Sequence, residues 1–284
     1  MPTASINGVD LYYEACGEGL PFLLVHEWGG DCRSWEPQVR FFARRYRVIT
    51  FNARGYPPSA VPQDQTAYSQ RTAVDDIKGI LDHLAIPKAH VCGLSMGAYA
   101  TLIFGLTYPD RALSLTVAGG GYGSAADREA FRRASVEMAD RLEREGMAAV
   151  AATYSRGPTR VQFLRKDPKG WQEFHDQLAA GSAVGRAMTL RGVQMTRPSF
   201  FALEREFERL VVPVLVMVGD EDDPAVEPSV FLKRKAPAAG LVVFPNSGHT
   251  INLEEPDLFN RTLLDFLTAV DGGRWPARDT KSRP

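Results

Sequence analysis

The run VCGLSMGAY, residues 91–99, joins two elements of different kinds across a single polar residue. Upstream, AHVCGL (89–94) is a short apolar run with the length and composition of a buried strand. Downstream, MGAYATLIFGLTY (96–108) is apolar nearly all round, as a helix enclosed by a fold would be. Between them stands Ser95, with Gly93 and Gly97 two residues to either side. That spacing fits a tight, strained strand-to-helix turn that pushes the hydroxyl outward, where the helix N-terminus favours developing negative charge. The competing reading is a helix cap in which Ser95 merely accepts an amide hydrogen bond. The motif by itself favours neither.

The pattern around this junction is strand–helix alternation. VDLYYEA (9–15), PFLLVHE (21–27), YRVITFN (46–52) and LSLTVAG (113–119) read as further strands. RTAVDDIKGILDHLAI (71–86) reads as a helix with Val74, Ile77, Ile80, Leu81 and Leu84 at helical spacing. Near-continuous apolar strands alternating with helices predict an α/β protein with a mostly parallel, doubly covered β-sheet. The alternation stops at GGGYGS (119–124). From there to about Pro198 the chain is helical, polar and arginine-rich, with Phe131, Ala134, Met138 and Leu142 forming one stripe of 126–146. VPVLVMVGD (212–220) and GLVVFPN (240–246) resume the strands, and EPDLFNRTLLDFLTAV (255–270) closes with a helix. We therefore expect a core of 1–121 and 199–270, an inserted helical cap over 122–198, and a frayed tail over 271–284.

The bulk numbers exclude several function classes. The 284 residues are 44% hydrophobic and 24% charged, an ordinary globular balance. With 33 basic and 34 acidic residues the net charge is −1, leaving no electrostatic footprint for nucleic acid or an anionic membrane. The N-terminal stretch lacks a basic segment followed by an apolar one, and no run approaches the length of a membrane span. Cys16, Cys32 and Cys92 form no paired framework and no C-x-x-C, which predicts a reduced, cytoplasmic setting. Nothing calls for a metal or organic cofactor, and the oligomeric state is not legible.

A serine hydroxyl becomes a useful nucleophile only when a base takes its proton, and that base needs an acid to orient it. His83, His90 and His175 read as surface or packing residues, and His26 as a loop pin. His249 differs: it follows a strand, after the turn Ser247-Gly248, and precedes a helix, at the sheet end where Ser95 must lie. For the acid, Asp220, Glu221, Asp222 and Asp223 crowd one turn after another strand, where a solvated acidic loop would also explain them.

Taken in order, HEWGG, NARGYPPS, CGLSMGAY, VMVGDEDDP and SGHTINLEEP resemble the α/β-hydrolase superfamily over nearly the whole chain up to about residue 270. The resemblance implies Ser95 as nucleophile, His249 as base, and an acid three residues past Gly219 at Asp222, with Asp220 and Asp223 as alternatives. It implies an oxyanion hole from the backbone amides of Met96 and Trp28, and a cap that lines a substrate pocket. Trp28, Tyr122, Trp171 and Phe174 are candidates for that lining, each with a packing role as its rival. The implied activity is hydrolysis of a small carboxylic ester or lactone through an acyl-enzyme, with a small molecule as the partner. Enol-lactone or C–C bond hydrolysis, or a ligand-binding receptor, are the alternatives. Haloalkane and epoxide chemistry are disfavoured because those relatives carry Asp at the Ser95 position.

Two departures from the family pattern stand out. Glu27 occupies a position usually held by Gly, and Asn52 one usually held by Asp. We expect the carboxylate to have moved, with Glu27 pairing with Arg54 or capping nearby amides; the rival reading has Glu27 face the pocket and contact a polar or cationic substrate group. The cap arginines Arg156, Arg160, Arg165, Arg186 and Arg191 read mostly as solvated surface charges.

Overall fold

The computed structural model describes residues 2–124, 128–279 and 281. Its strands are β1 (Thr3–Ile6), β2 (Val9–Cys16), β3 (Leu20–Val25), β4 (Tyr46–Phe51), β5 (Ala89–Leu94), β6 (Ala112–Ala118), β7 (Val214–Gly219) and β8 (Ala239–Phe244). They form one sheet in the order β1-β2-β4-β3-β5-β6-β7-β8. β1 and β2 run antiparallel to their neighbours, while β4, β3, β5, β6, β7 and β8 are mutually parallel. β5 and β7 are buried at every position, as their unbroken apolar runs predict for strands covered on both faces.

The flanking helices are α1 (Glu36–Phe42), α2 (Gln70–His83), α3 (Met96–Thr107), α9 (Asp223–Lys235), α10 (Ile251–Glu254) and α11 (Pro256–Asp271). Between β6 and β7 lie α4 (Arg128–Tyr154), α5 (Val161–Lys166), α6 (Pro168–Ala179), α7 (Ala183–Thr189) and α8 (Glu204–Glu208). One face of the sheet packs on α2, α3 and α9 through Val74, Ile77, Leu102 and Leu232. The other packs on α1 and α11 through Phe42, Phe259, Leu263 and Phe266. Along β5, Val91 joins the first cluster while Cys92 and Leu94 join the second, the alternation a pleated strand imposes.

A third cluster builds the inserted helices. Ala139, Leu142, Val150, Phe163, Trp171, Phe174 and Leu178 pack together and onto Trp28, Tyr56 and Met96 from the ends of the sheet. The insertion thus rests on the loops that follow the parallel strands. α4 is broken at Gly146, whose φ of 78° leaves the helical region. Ala126 and Asp127, where a helix is expected to begin, lie outside the described residues.

β1 was not anticipated: TASI is short, and only two of its four residues are buried. Beyond α11 the chain continues in contact with the body. The Trp275 indole donates to the Ala238 carbonyl at 2.8 Å and meets the Phe266 ring edge-on at 4.6 Å. Among the described residues no helix is long and apolar enough to cross a membrane.

Candidate active site

Ser95 sits between β5 and α3 with φ 56° and ψ −109°, a conformation that a residue with a side chain rarely adopts. Both flanking glycines are required by contact. A Cβ on Gly97 would lie 2.1 Å from the Val25 carbonyl oxygen, and one on Gly93 2.2 Å from the Gly97 carbonyl oxygen. The first turn of α3 is therefore pressed directly against the end of β3. The Ser95 side chain makes no cap hydrogen bond to α3, which removes the helix-cap reading. It opens instead into a cavity of about 410 Å³.

His249 lines the same cavity. Its Nδ1 lies 2.7 Å from Asp222 Oδ2, and the Asp222 carboxylate is fully buried. Of the crowded acids only Asp222 is placed this way. Asp220 accepts from the Ser247 amide at 3.1 Å, Glu221 accepts from Gln162 at 2.7 Å, and Asp223 opens α9 at the surface. Asp222 Oδ1 has no hydrogen-bond partner among the described residues. The His249 loop is held from two sides. Its backbone N–H donates to the Thr159 carbonyl of the inserted segment at 2.8 Å. Glu254 accepts from the amides of Gly248 and Thr250 at 2.8 and 3.0 Å. Neither Thr159 nor Glu254 was singled out in the sequence, because each acts through a loop that only the fold defines.

The loop after β3 supplies the facing wall. His26 accepts the Ala53 N–H at Nε2 (3.0 Å), while its Nδ1 lies 2.7 Å from the Glu27 carbonyl, a set that suits the neutral imidazole. Burial pushes its pKa down to about 4. The Trp28 and Met96 backbone N–H groups donate to no protein acceptor among the described residues. The Trp28 ring lines the cavity, its indole donating to the Arg186 carbonyl at 3.2 Å. Tyr56 reaches both sides, donating to the Trp28 carbonyl (3.3 Å) and lying 3.8 Å from Met96 Sδ.

Glu27 does not replace a lost carboxylate at Asn52, and the expected pairing with Arg54 is corrected. Arg54 is held by Asp76 through two 2.8 Å bonds. Asn52 makes two opposite bonds, both at 2.8 Å: its Oδ1 accepts from the Cys32 amide, as an Asp could, and its Nδ2 donates to the Pro57 carbonyl, which an Asp carboxylate could not. Glu27 instead binds Arg160 of the insertion in a fork, with contacts of 3.0 and 2.5 Å. Burial alone would raise the Glu27 pKa. The charge and hydrogen bonds of Arg160 outweigh it and hold the carboxyl below its usual range. A Cβ on Gly29 would lie 3.0 Å from Tyr154 Cε1, 3.1 Å from Glu27 Oε2 and 3.3 Å from Arg160 Nη2, so a side chain there would press on the pair and fit only if these atoms gave by a few tenths of an ångström.

The arginine expectation is also corrected in part. Arg156 and Arg165 are exposed and Arg191 pairs with Asp140 and Glu143, but Arg160 and Arg186 are buried. Tyr122 lines the cavity and meets the His249 ring edge-on at 5.0 Å. Trp171 and Phe174 belong to the core of the insertion: Trp171 donates to the Ser155 carbonyl at 2.7 Å, and Phe174 packs on Phe163. Phe131, Ala134 and Met138 of the expected stripe face the cavity, while Leu142 faces the insertion's own core. Among the described residues no group of three or more His, Cys, Asp or Glu is arranged to hold a metal ion.

Comparison with known proteins gives a consistent neighbourhood. A profile described as "Alpha/beta hydrolase family" matches residues 22–262. The 3-oxoadipate enol-lactonase 2 of Acinetobacter baylyi is 27% identical over 266 residues, covering 92% of this chain and 94% of that protein. A 2-hydroxy-6-oxo-6-phenylhexa-2,4-dienoate hydrolase of Burkholderia cepacia is 28% identical over 280 residues, covering 92% of each chain. Among solved structures, a thermophilic esterase from Thermogutta terrifontis superposes with a TM-score of 0.85 at 26% identity, covering 95% of this chain and 98% of that one.

Proposed function

The chain belongs to the alpha/beta hydrolase family, and from that premise we propose that it is a serine hydrolase acting on a small carboxylic ester or lactone through an acyl-enzyme. Ser95 Oγ attacks the carbonyl carbon while His249 takes its proton. Asp222 holds the imidazole by Nδ1 and stabilises the cation that forms. The tetrahedral oxyanion is received by the Trp28 and Met96 amides, each such donor being worth about 3–4 kcal/mol in related chemistry. Collapse expels the alcohol, or opens the lactone ring, with the proton returned from His249. Water activated by the same imidazole then hydrolyses the ester on Ser95 and releases the acid. The inserted helices over 122–198 act as a cap that walls the substrate from bulk water.

The observation that carries this reading is that Ser95, His249 and Trp28 line one cavity, with Met96 next to Ser95 in the chain and Asp222 bonded to His249. The Ser95 side chain makes no cap hydrogen bond, His249 is oriented by Asp222, and the Trp28 and Met96 amides donate to no acceptor among the described residues. The names of the relatives favour esters and enol-lactones, with C–C bond hydrolysis as the second reading, since the same residues can serve it. The three cysteines are free, which supports a reduced, cytoplasmic setting. The test is a panel of p-nitrophenyl esters of increasing acyl length, with several lactones, run on wild type and Ser95→Ala. Turnover of at least one class, lost in the variant, supports the proposal. A folded wild type that turns over none, or a variant as active as wild type, overturns it.

A further inference from the structure

We propose that Glu27 sets substrate class: by committing Arg160, it makes the cavity select an uncharged ester or lactone over one that carries a carboxylate. The inference rests on the hydrolase reading above and concerns the pocket beside Ser95. Among the described residues lining that pocket, Arg160 is the only charged group apart from the titratable His249. Its guanidinium would be the natural anchor for a substrate carboxylate. Its charge is already committed: the fork of its two terminal nitrogens binds the Glu27 carboxylate, and Nη2 also donates to the Tyr154 hydroxyl at 2.8 Å, so three of its five N–H groups are taken. Arg160 and Glu27 are only 3% and 1% exposed, so solvent does little to loosen the pair.

A carboxylate entering the cavity would lose its hydration and find no available counter-charge. It would also meet the negative charge of Glu27 behind Arg160, and both effects oppose binding. Two other buried cations nearby do not change this. Arg197 donates to the Tyr122 carbonyl at 2.9 Å and does not line the cavity. Arg186 stands behind the wall, its guanidinium 5.6 Å from the Trp28 ring and 4.6 Å from the Tyr56 ring, and it does not line the cavity. Besides Arg160 and His249, the polar residues that line the cavity are neutral. Gln194 lines the cavity at the end of a single π turn, Leu190–Gln194, a distortion often found at functional positions.

The experiment compares kcat/KM for two esters of equal chain length, p-nitrophenyl hexanoate and the mono-p-nitrophenyl ester of adipic acid. Wild type should favour the hexanoate at least a hundredfold. Glu27→Gln, which releases Arg160, should shift the ratio at least tenfold toward the adipate ester. Arg160→Gln, which leaves Glu27 unopposed, should shift it the other way, and the neutral pair Glu27→Gln/Arg160→Gln should fall between the two single variants. Opposite shifts from two halves of one ion pair are a signature that loss of structure does not produce. The wild-type preference tests the idea even if a single variant fails to fold. An active wild type that takes the adipate ester as well as the hexanoate, or single variants that move the ratio in the same direction, overturns the inference alone. An enzyme that turns over lactones but neither ester also overturns this inference alone; if no ester or lactone acylates Ser95, the hydrolase reading falls and this inference with it.

Discussion

His26 shows how much one neutral side chain can hold in place. Its ring joins the Glu27 carbonyl to the Ala53 amide, tying together the loops after β3 and β4. Burial disfavours the charged imidazolium, and protonation would also put a second N–H against the Ala53 donor. With an ordinary value of 6.5 and a folded value of about 4, the unfolded chain binds a proton in that window and the folded chain does not. Stability must therefore fall as the pH drops from 6.5 to about 4, by about 3 kcal/mol from this residue. Urea unfolding at both ends of the window should show that loss in wild type, and a smaller one in His26→Gln. Asp222 is the second residue with a defined consequence. Asp222→Asn keeps the shape but presents a donor where the imidazole Nδ1–H needs an acceptor, so kcat should drop by about 10⁴ with little change in KM. A loss under tenfold would remove Asp222 from its role. At this scale the sequence was informative about residue type and silent about partners. A carboxylate at 27 was visible as unusual, but its partner lies 133 residues away along the chain, in the insertion. Asn52 looked like a deficiency only while its two opposite hydrogen bonds were unknown.

At the scale of elements, the β5–Ser95–α3 unit is a contact geometry first, and the chemistry proposed for it depends on that contact. Gly97 lets α3 start against the end of β3, which brings the Met96 amide beside the loop that carries Trp28. Gly97→Ala would place a methyl 2.1 Å from the Val25 carbonyl oxygen and 2.6 Å from that of His26. Neither backbone atom can move without shifting the sheet, so we expect a loss of about 3 kcal/mol in stability. The residual folded enzyme should show a kcat reduced at least a hundredfold and KM little changed, because the two amides would separate. Wild-type kcat in that variant would mean that the close approach is irrelevant to the chemistry. The strands and principal helices were legible because each buries a run or stripe of apolar residues with its own period. β1 was not, since its four residues are short and half polar. The amphipathic stretch read over 126–146 ends at Gly146, the residue at which α4 breaks; that the helix resumes directly after it was not legible.

For the whole molecule, the architecture brings distant segments to one end of the sheet. Ser95 follows β5, Asp222 follows β7, His249 follows β8, and the helices between β6 and β7 roof the space above them. Chain order and strand ends were readable from the sequence; the docking of the insertion was not, because Arg160, Thr159 and Trp171 reveal their partners only in three dimensions. The same holds for the segment after α11. Trp275 covers Gly240 and packs on Phe266, so Trp275→Ala should lower stability by about 2 kcal/mol, read as a shift in the urea midpoint without loss of activity in the folded state. No shift would return that segment to the status of a frayed end. The convergence at the cavity is tested most directly by covalent trapping. Diethyl p-nitrophenyl phosphate, an organophosphate with a good leaving group, should place one diethylphosphoryl group on the peptide that carries Ser95, as read by mass spectrometry. Ser95→Ala should stay unmodified, and His249→Ala should react at least a hundredfold more slowly. A folded wild type that takes up no label, or takes it up at another residue, would contradict Ser95 as the nucleophile.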